Sequence, residues 1–125
     1  MLKKDNRLKS KKAFSATYNN NNINSNSSIV LYAGKIKEDK NCPTRVGFVV
    51  SKKVHKRATK RNRIKRLMRE TIRLMFKNNE AEILNNYQSL IFLAKSNMLE
   101  KNLEETRSIV LTLLNKLANK NIQDY

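Results

Sequence analysis

The most constraining feature of this sequence is a dense run of positive charge in residues 52–69. Ten of these 18 residues are Lys or Arg, and none is Asp or Glu. Like charges held this close repel one another unless an oppositely charged partner neutralises them. A solvent-exposed helix usually carries Glu or Asp within a turn of its Lys and Arg, and those acids are missing here. The run therefore predicts a surface that binds a polyanion, and a nucleic-acid phosphate backbone fits best.

The positive charge is unevenly distributed along the chain. The formal net charge is +17 over 125 residues. Residues 45–73 carry twelve basic residues and one acid, and residues 1–18 carry six and one, whereas residues 74–125 carry six of each. With 39% hydrophobic residues, the chain has enough apolar side chains for one core. We expect residues 1–125 to form a single domain, with a neutral scaffold and two basic segments.

Membrane and disulfide signals are weak in this sequence. No apolar run approaches the roughly 18 residues that a membrane span needs, and the first residues are basic rather than those of a signal peptide. Cys42 stands alone, which excludes an internal disulfide and a cysteine-cluster metal site. We therefore expect a cytoplasmic protein with no membrane partner.

The apolar patterns predict an α+β fold, an α/β sandwich with the order α-β-β-β-α-β-α. Ser10 is placed to cap a first helix that runs to Tyr18. The polar, Asn-rich residues 19–28 predict a loop or a ragged edge strand. Later segments predict a hairpin of strands 29–36 and 45–51, a helix over 59–77, a central strand over 87–94 and a last helix from Leu103.

The predicted helix over 59–77 has one apolar stripe and one basic face. A spacing of about 100° per residue places Ile64, Leu67, Met68, Ile72 and Met75 on the stripe. On the opposite side it places Asn62, Arg66, Arg69 and Arg73, with Arg63 and Lys65 on the flanks. If the flanking strands are parallel neighbours, handedness rules favour a right-handed crossover.

Candidate catalytic groups are sparse. The single histidine, His55, has no companions in the sequence for general-base or metal chemistry, and a contact to phosphate or sugar is its functional alternative. The ten acids are scattered, which argues against a two-metal nuclease. Gly34 and Gly47 are the only glycines, so no glycine-rich phosphate loop exists. The sequence predicts neither a catalytic residue nor a metal ligand.

Phe14 and Tyr18 lie four residues apart, on one face of the first predicted helix. Such a pair either fills a core or borders a groove in which unpaired bases stack while nearby lysines follow the backbone. Periodicity leaves both readings open.

Residues 45–70 resemble the bacterial ribonuclease P protein subunit very closely. The triplet Arg61-Asn62-Arg63 and the residues after it match that family's RNR signature, and Val46-Gly47-Phe48 matches the preceding strand. Weaker similarity extends over nearly the whole chain, from Arg7 to Lys95.

This resemblance implies a sandwich with a left-handed β-α-β crossover, similar to the second domain of a small-subunit ribosomal protein. It implies a ribonucleoprotein that removes the 5′ leader from precursor tRNA, in which a catalytic RNA and its Mg²⁺ perform the hydrolysis. The protein component would broaden the substrate range, with one protein per RNA. Contacts to the catalytic RNA would come from Arg57, Arg61, Asn62, Arg63, Lys65, Arg66 and Arg69. Contacts to the single-stranded leader would come from Lys11, Lys12, Phe14, Tyr18, Lys52 and Lys53.

Two segments depart from the family pattern. The loop His55-Lys56-Arg57-Ala58 is one residue longer than in many members, and the Asn-rich residues 19–28 lack basic and glycine residues often found there. A ribosomal or general structural RNA-binding protein is the alternative function. A helix-turn-helix DNA-binding protein is a weaker one, because the sequence lacks the two-helix turn.

Overall fold

The computed structural model describes residues 3–80 and 82–123, with side chains described up to Asn119. Its longer elements follow the predicted order. They are α1 (Lys11–Asn19), β1 (Asn22–Ser25), β2 (Ile29–Ala33), β3 (Arg45–Val49), α2 (Ala58–Lys77), β4 (Ser89–Ala94) and α3 (Leu103–Gln123). Three short 3-10 turns, which the sequence patterns did not predict, are Lys4–Asn6, Glu82–Asn86 and Ser96–Glu100.

The four strands form one mixed sheet in the order β1-β2-β4-β3. β2 pairs antiparallel with both β1 and β4, and β3 pairs parallel with β4. The prediction that strands 29–36 and 45–51 form a hairpin is therefore wrong. β4 lies between them because its consecutive Leu90, Ile91 and Phe92 are all buried and need cover on both faces.

The hairpin partner of β2 is the Asn-rich segment. Asn26 makes the turn, since its Oδ1 accepts hydrogen bonds from the backbone N–H groups of Ser28 and Ile29, both at 2.9 Å. β1 then pairs over its own whole length with β2, from Asn22 opposite Ala33 to Ser25 opposite Val30. Of the two readings of residues 19–28, the structure has an edge strand.

The predicted β-α-β unit is present, because β3 and β4 are parallel neighbours joined through α2. The left-handed crossover implied by the resemblance remains a prediction.

The two faces of the sheet are covered differently. One face packs against α2 and α3, and its core includes Leu31, Val46, Phe92, Met68 and Leu113, which are at most 2% exposed. Because side chains alternate along a strand, Gly47, Ile91 and Tyr32 point to the other face. α1 covers part of that second face, which we call the α1 face.

Candidate nucleic-acid interface

The hydroxyl of Ser10 caps α1, and the hydroxyl of Thr17 joins the helix to the sheet. Ser10 Oγ accepts a hydrogen bond from the Ala13 backbone N–H at 3.0 Å and so caps the helix. The buried Thr17 hydroxyl donates to the Ala13 carbonyl and lies 2.5 Å from Ser89 Oγ in β4. Through Ser89, α1 is therefore anchored at the start of the inner strand β4.

An aromatic row, Phe14, Tyr18 and Tyr32, follows α1 on this face. The Phe14 and Tyr18 ring centroids are 6.4 Å apart, and Tyr18 meets Tyr32 edge-on at 4.7 Å. All three side chains are half-buried. Burial, together with the neighbouring Tyr32, raises the pKa of Tyr18, so its phenol stays neutral and can donate a hydrogen bond. Each ring packs on the protein with one part and leaves another part accessible.

Gly47 lets the aromatic row approach the sheet. A Cβ atom at this position of β3 would lie 2.6 Å from Phe14 Cζ, 2.7 Å from Phe14 Cε1 and 3.2 Å from Leu8 Cδ2. Those distances are well inside normal carbon contact, so Phe14 rests directly on the backbone of the strand.

The four lysines predicted for this surface are exposed and belong to the segments that carry or follow its elements. Lys11 and Lys12 are exposed in the first turn of α1. Lys52 and Lys53 are exposed in the segment that continues from β3, the strand on which Phe14 packs. We call these lysines and the aromatic row together the leader surface, after the contact predicted for them from the sequence.

The second basic surface is the outer side of α2, which we call the basic ridge. The helix buries Ile64, Met68, Ile72 and Met75 against the core, as predicted from their spacing. This burial turns its basic side away from the sheet. The basic ridge comprises the exposed Asn62, Arg63 and Arg66 and the half-buried Lys65 and Arg69 of α2, together with the exposed Arg57 that precedes the helix.

Residues on the basic ridge differ in what they contact within the protein. Asn62, Arg63 and Arg66 are all exposed, and Arg63 Nη1 also donates to the Leu99 carbonyl at 3.2 Å. The Arg69 guanidinium lies 6.0 Å from the Phe48 ring centroid, a cation–π contact. Arg69 therefore leans toward β3 instead of projecting straight outward.

Arg73 was predicted on the same outward side, but its guanidinium forms an ion pair with Glu70. Two hydrogen bonds at 2.6 and 3.0 Å join them. They hold the pKa of Glu70 below its ordinary value and raise that of Arg73.

Arg61 is placed differently from the other predicted RNA-contacting residues. Its side chain is half-buried, and its Nη1 donates to the carbonyls of His55 and Lys56 at 2.9 and 2.8 Å. His55 Nδ1 in turn accepts a hydrogen bond from the Arg57 backbone N–H at 3.0 Å. A helical wheel places Arg61 about 60° from the buried Ile64, and this position is typical of a side chain that is partly buried.

A groove that the sequence analysis missed lies against α1. Its volume is about 540 Å³, and its lining includes Ala13, Ala16, Lys37, Cys42 and Arg45. Lys37 is only 8% exposed, and burial lowers its pKa, partly offset by Cys42 and Asp39. Lys37 lies in the mixed-charge stretch 35–40, directly before Glu38 and Asp39, so no sequence pattern marked it as buried.

Within residues 3–80 and 82–123, no three His, Cys, Asp or Glu side chains come together as a possible metal site. Among the same residues, no helix is both long and apolar enough to span a membrane.

Comparisons with known proteins agree on one family. A family model described as Ribonuclease P matches residues 2–118. A ribonuclease P protein component of Clostridium botulinum is 35% identical over 113 residues, which cover 90% of this chain and 95% of the relative. One from Synechococcus is 33% identical over 117 residues, covering 93% and 84% of the two chains.

Solved structures support the same assignment. The RNase P protein of Staphylococcus aureus has a TM-score of 0.70 and 28% identity, over 90% of this chain and 94% of that one. The RNase P protein of Thermotoga maritima, at 22% identity, shares the fold with a TM-score of 0.69, over 88% and 96% of the chains. The chain thus belongs to the family of ribonuclease P protein components, which are part of an endoribonuclease of tRNA processing.

Proposed function

We propose that this protein holds the catalytic RNA of ribonuclease P on the basic ridge and the 5′ leader of precursor tRNA on the leader surface. The observation that carries this proposal is the presence of two separate cationic surfaces on one small sheet. One combines lysines with half-buried aromatic rings, and the other is a helix side of Arg, Lys and Asn.

The leader surface suits an unpaired strand. Bases of any sequence stack on accessible aromatic rings, while lysines beside the rings follow the phosphates. Mature tRNA lacks the leader, so a contact made there raises affinity for the precursor alone. This difference gives the protein its role in substrate recognition and lets it serve precursors with different tRNA bodies.

The basic ridge suits a folded RNA. Arg66 and Asn62 are exposed and present donors to phosphate oxygens, and Arg guanidinium groups bind phosphate in bidentate fashion. Arginine stays protonated and cannot act as a general base, so these residues neutralise charge instead of moving protons. We assign the hydrolysis to the catalytic RNA and its Mg²⁺, with one protein per RNA, as the resemblance implies. We propose that the complex works in the cytoplasm.

A comparison of precursor and mature tRNA affinity tests the leader surface. The reconstituted wild-type holoenzyme should bind precursor tRNA more tightly than mature tRNA. Replacing either Lys52 or Lys53 with Ala should lower precursor affinity and reduce the log–log salt slope by about 0.7, the value for one phosphate on a single strand. Lys77→Ala, which removes one exposed charge at the far end of α2, is the matched control and should change neither.

Equal affinity of the wild-type holoenzyme for both tRNAs would refute the leader assignment.

A separate assay tests the basic ridge. Arg66→Glu should weaken assembly with the catalytic RNA at moderate salt while leaving the fold intact, because Arg66 is exposed. If Arg66→Glu assembles with the catalytic RNA as well as the wild type does, Arg66 does not contact that RNA.

A further inference from the structure

Residues 51–57 connect the leader surface to the basic ridge. The segment leaves the β3 strand, carries Lys52, Lys53, Lys56 and Arg57, and ends where α2 begins. Four positive charges within six residues repel one another and favour an open, variable loop. Something has to hold this segment in one conformation if its lysines are to lie at a defined place.

The structure holds the segment with hydrogen bonds from within and from α2. A turn closes where the Val54 N–H donates to the Ser51 carbonyl at 3.1 Å. Further along, the Arg57 N–H donates to His55 Nδ1, the same i to i+2 geometry that Asn and Asp use in turns. The Arg57 side chain makes no capping bond to α2, so it does not help to hold the segment at this end. The bond to His55 Nδ1 does.

Arg61 closes the arrangement from the first turns of α2. One nitrogen, Nη1, donates to two successive carbonyls, those of His55 and Lys56. Both carbonyls precede the helix, so a single guanidinium joins the helix to the segment. The half-buried guanidinium of Arg61 is therefore engaged in bonds within the protein, whereas Arg66 on the same helix is exposed.

We propose that His55 and Arg61 are positioning residues that fix residues 51–57, so that Lys52 and Lys53 meet the leader while the basic ridge holds the catalytic RNA. Arg61 then acts on the leader through the segment and is not itself a ligand of the catalytic RNA. The inference rests on the proposed function. It assigns to the longer loop that contains His55 the role of positioning Lys52 and Lys53.

A pair of substitutions at His55 isolates the hydrogen bond. His55→Asn retains an acceptor for the Arg57 N–H, because the Asn side chain forms this turn readily, whereas His55→Ala removes it. We expect His55→Ala to lower the precursor-to-mature affinity ratio of the holoenzyme about 3- to 10-fold, the factor for one ordinary hydrogen bond, and His55→Asn to keep the wild-type ratio.

A second pair separates positioning from direct RNA contact. Arg61→Gln should lower the same ratio but leave the salt slope of assembly with the catalytic RNA unchanged. The matched control, Arg66→Gln, should reduce that slope by up to about 0.9, as expected for one lost phosphate contact, and leave the ratio unchanged. A reduced assembly slope for Arg61→Gln would show a direct contact and overturn the inference.

Trypsin supplies a readout that needs no RNA. The protease cleaves after Lys and Arg, and the segment contains four such sites. Cleavage within residues 52–57 of the folded protein should be several-fold faster in His55→Ala and Arg61→Gln than in wild type and His55→Asn. Unchanged cleavage would overturn the inference, whereas a wild-type affinity ratio of one would instead overturn the proposed leader contact.

Discussion

Phe14 of α1 packs directly on Gly47 of β3, so replacing this glycine by alanine probes how the leader surface is built. The added methyl group would lie 2.6 and 2.7 Å from two ring carbons of Phe14. Normal carbon contacts are about 3.5–4.0 Å, so the ring has to retreat by roughly 1 Å. The φ angle of Gly47 is negative, so alanine fits the backbone itself.

The size of the effect follows from two opposing terms. Adding a methyl group to a well-packed site costs about 1–3 kcal/mol. Alanine also reduces the entropy of the unfolded chain, which returns about 0.4–1 kcal/mol. We therefore expect Gly47→Ala to lower the free energy of unfolding by about 1–2 kcal/mol, and Tm by roughly 4–8 °C.

Denaturant unfolding of Gly47→Ala, Phe14→Leu and the double variant tests this reasoning. Leucine lacks the two ring carbons that meet the new methyl group, so the double variant should be about as stable as Phe14→Leu alone. That non-additivity is the signature of a direct contact. If the effects of the two substitutions simply add, or if Gly47→Ala is as stable as wild type, Phe14 does not rest on Gly47.

Three further outcomes follow from other contacts. Ser10→Ala removes the hydrogen bond to the Ala13 N–H and should cost about 1 kcal/mol in urea unfolding, while weakening precursor tRNA binding more than assembly with the catalytic RNA. Lys37→Met should raise the free energy of unfolding at pH 7, because burial lowers the pKa of Lys37 and so penalises its charged form in the folded state. This gain in stability should vanish above about pH 10.4, where the amine is neutral in both the folded and the unfolded state. Glu70→Gln should free Arg73 and steepen the salt dependence of assembly; an unchanged slope would place Arg73 outside the RNA contact.

Strong periodicity made most of the elements predictable. In α2, Ile64, Met68 and Met75 recur at helical spacing and are all buried. β4 was predicted as central because its run is apolar on both faces, and the structure bears this out. Ser10 was predicted as a cap and makes the capping bond.

Strand pairing was harder to predict, because apolar runs show that a strand is buried without showing its neighbour. Strands 29–36 and 45–51 follow each other in sequence, which favoured a hairpin. In the structure the more apolar β4 lies between β2 and β3, and the Asn-rich segment pairs with the other edge of β2 as β1.

Polar contacts over short distances also escaped the sequence analysis. Charge counting treats Arg61, Arg66 and Arg73 alike, yet the structure binds the first to its own loop and the third to Glu70, and leaves the second exposed. Such differences depend on which carbonyls and carboxylates lie nearby. The Glu70–Arg73 pair has an i,i+3 spacing that the sequence itself offered, whereas the carbonyl partners of Arg61 become known only with the fold.

Cleavage of precursor tRNA at low Mg²⁺ tests the central claim most directly, with the protein alone, the cognate catalytic RNA alone and the two together. We expect removal of the 5′ leader only in the mixture, because the protein supplies binding and the RNA supplies the chemistry. Cleavage by the protein alone would contradict this division of labour, and a mixture no faster than the RNA alone would contradict an accessory role in tRNA processing.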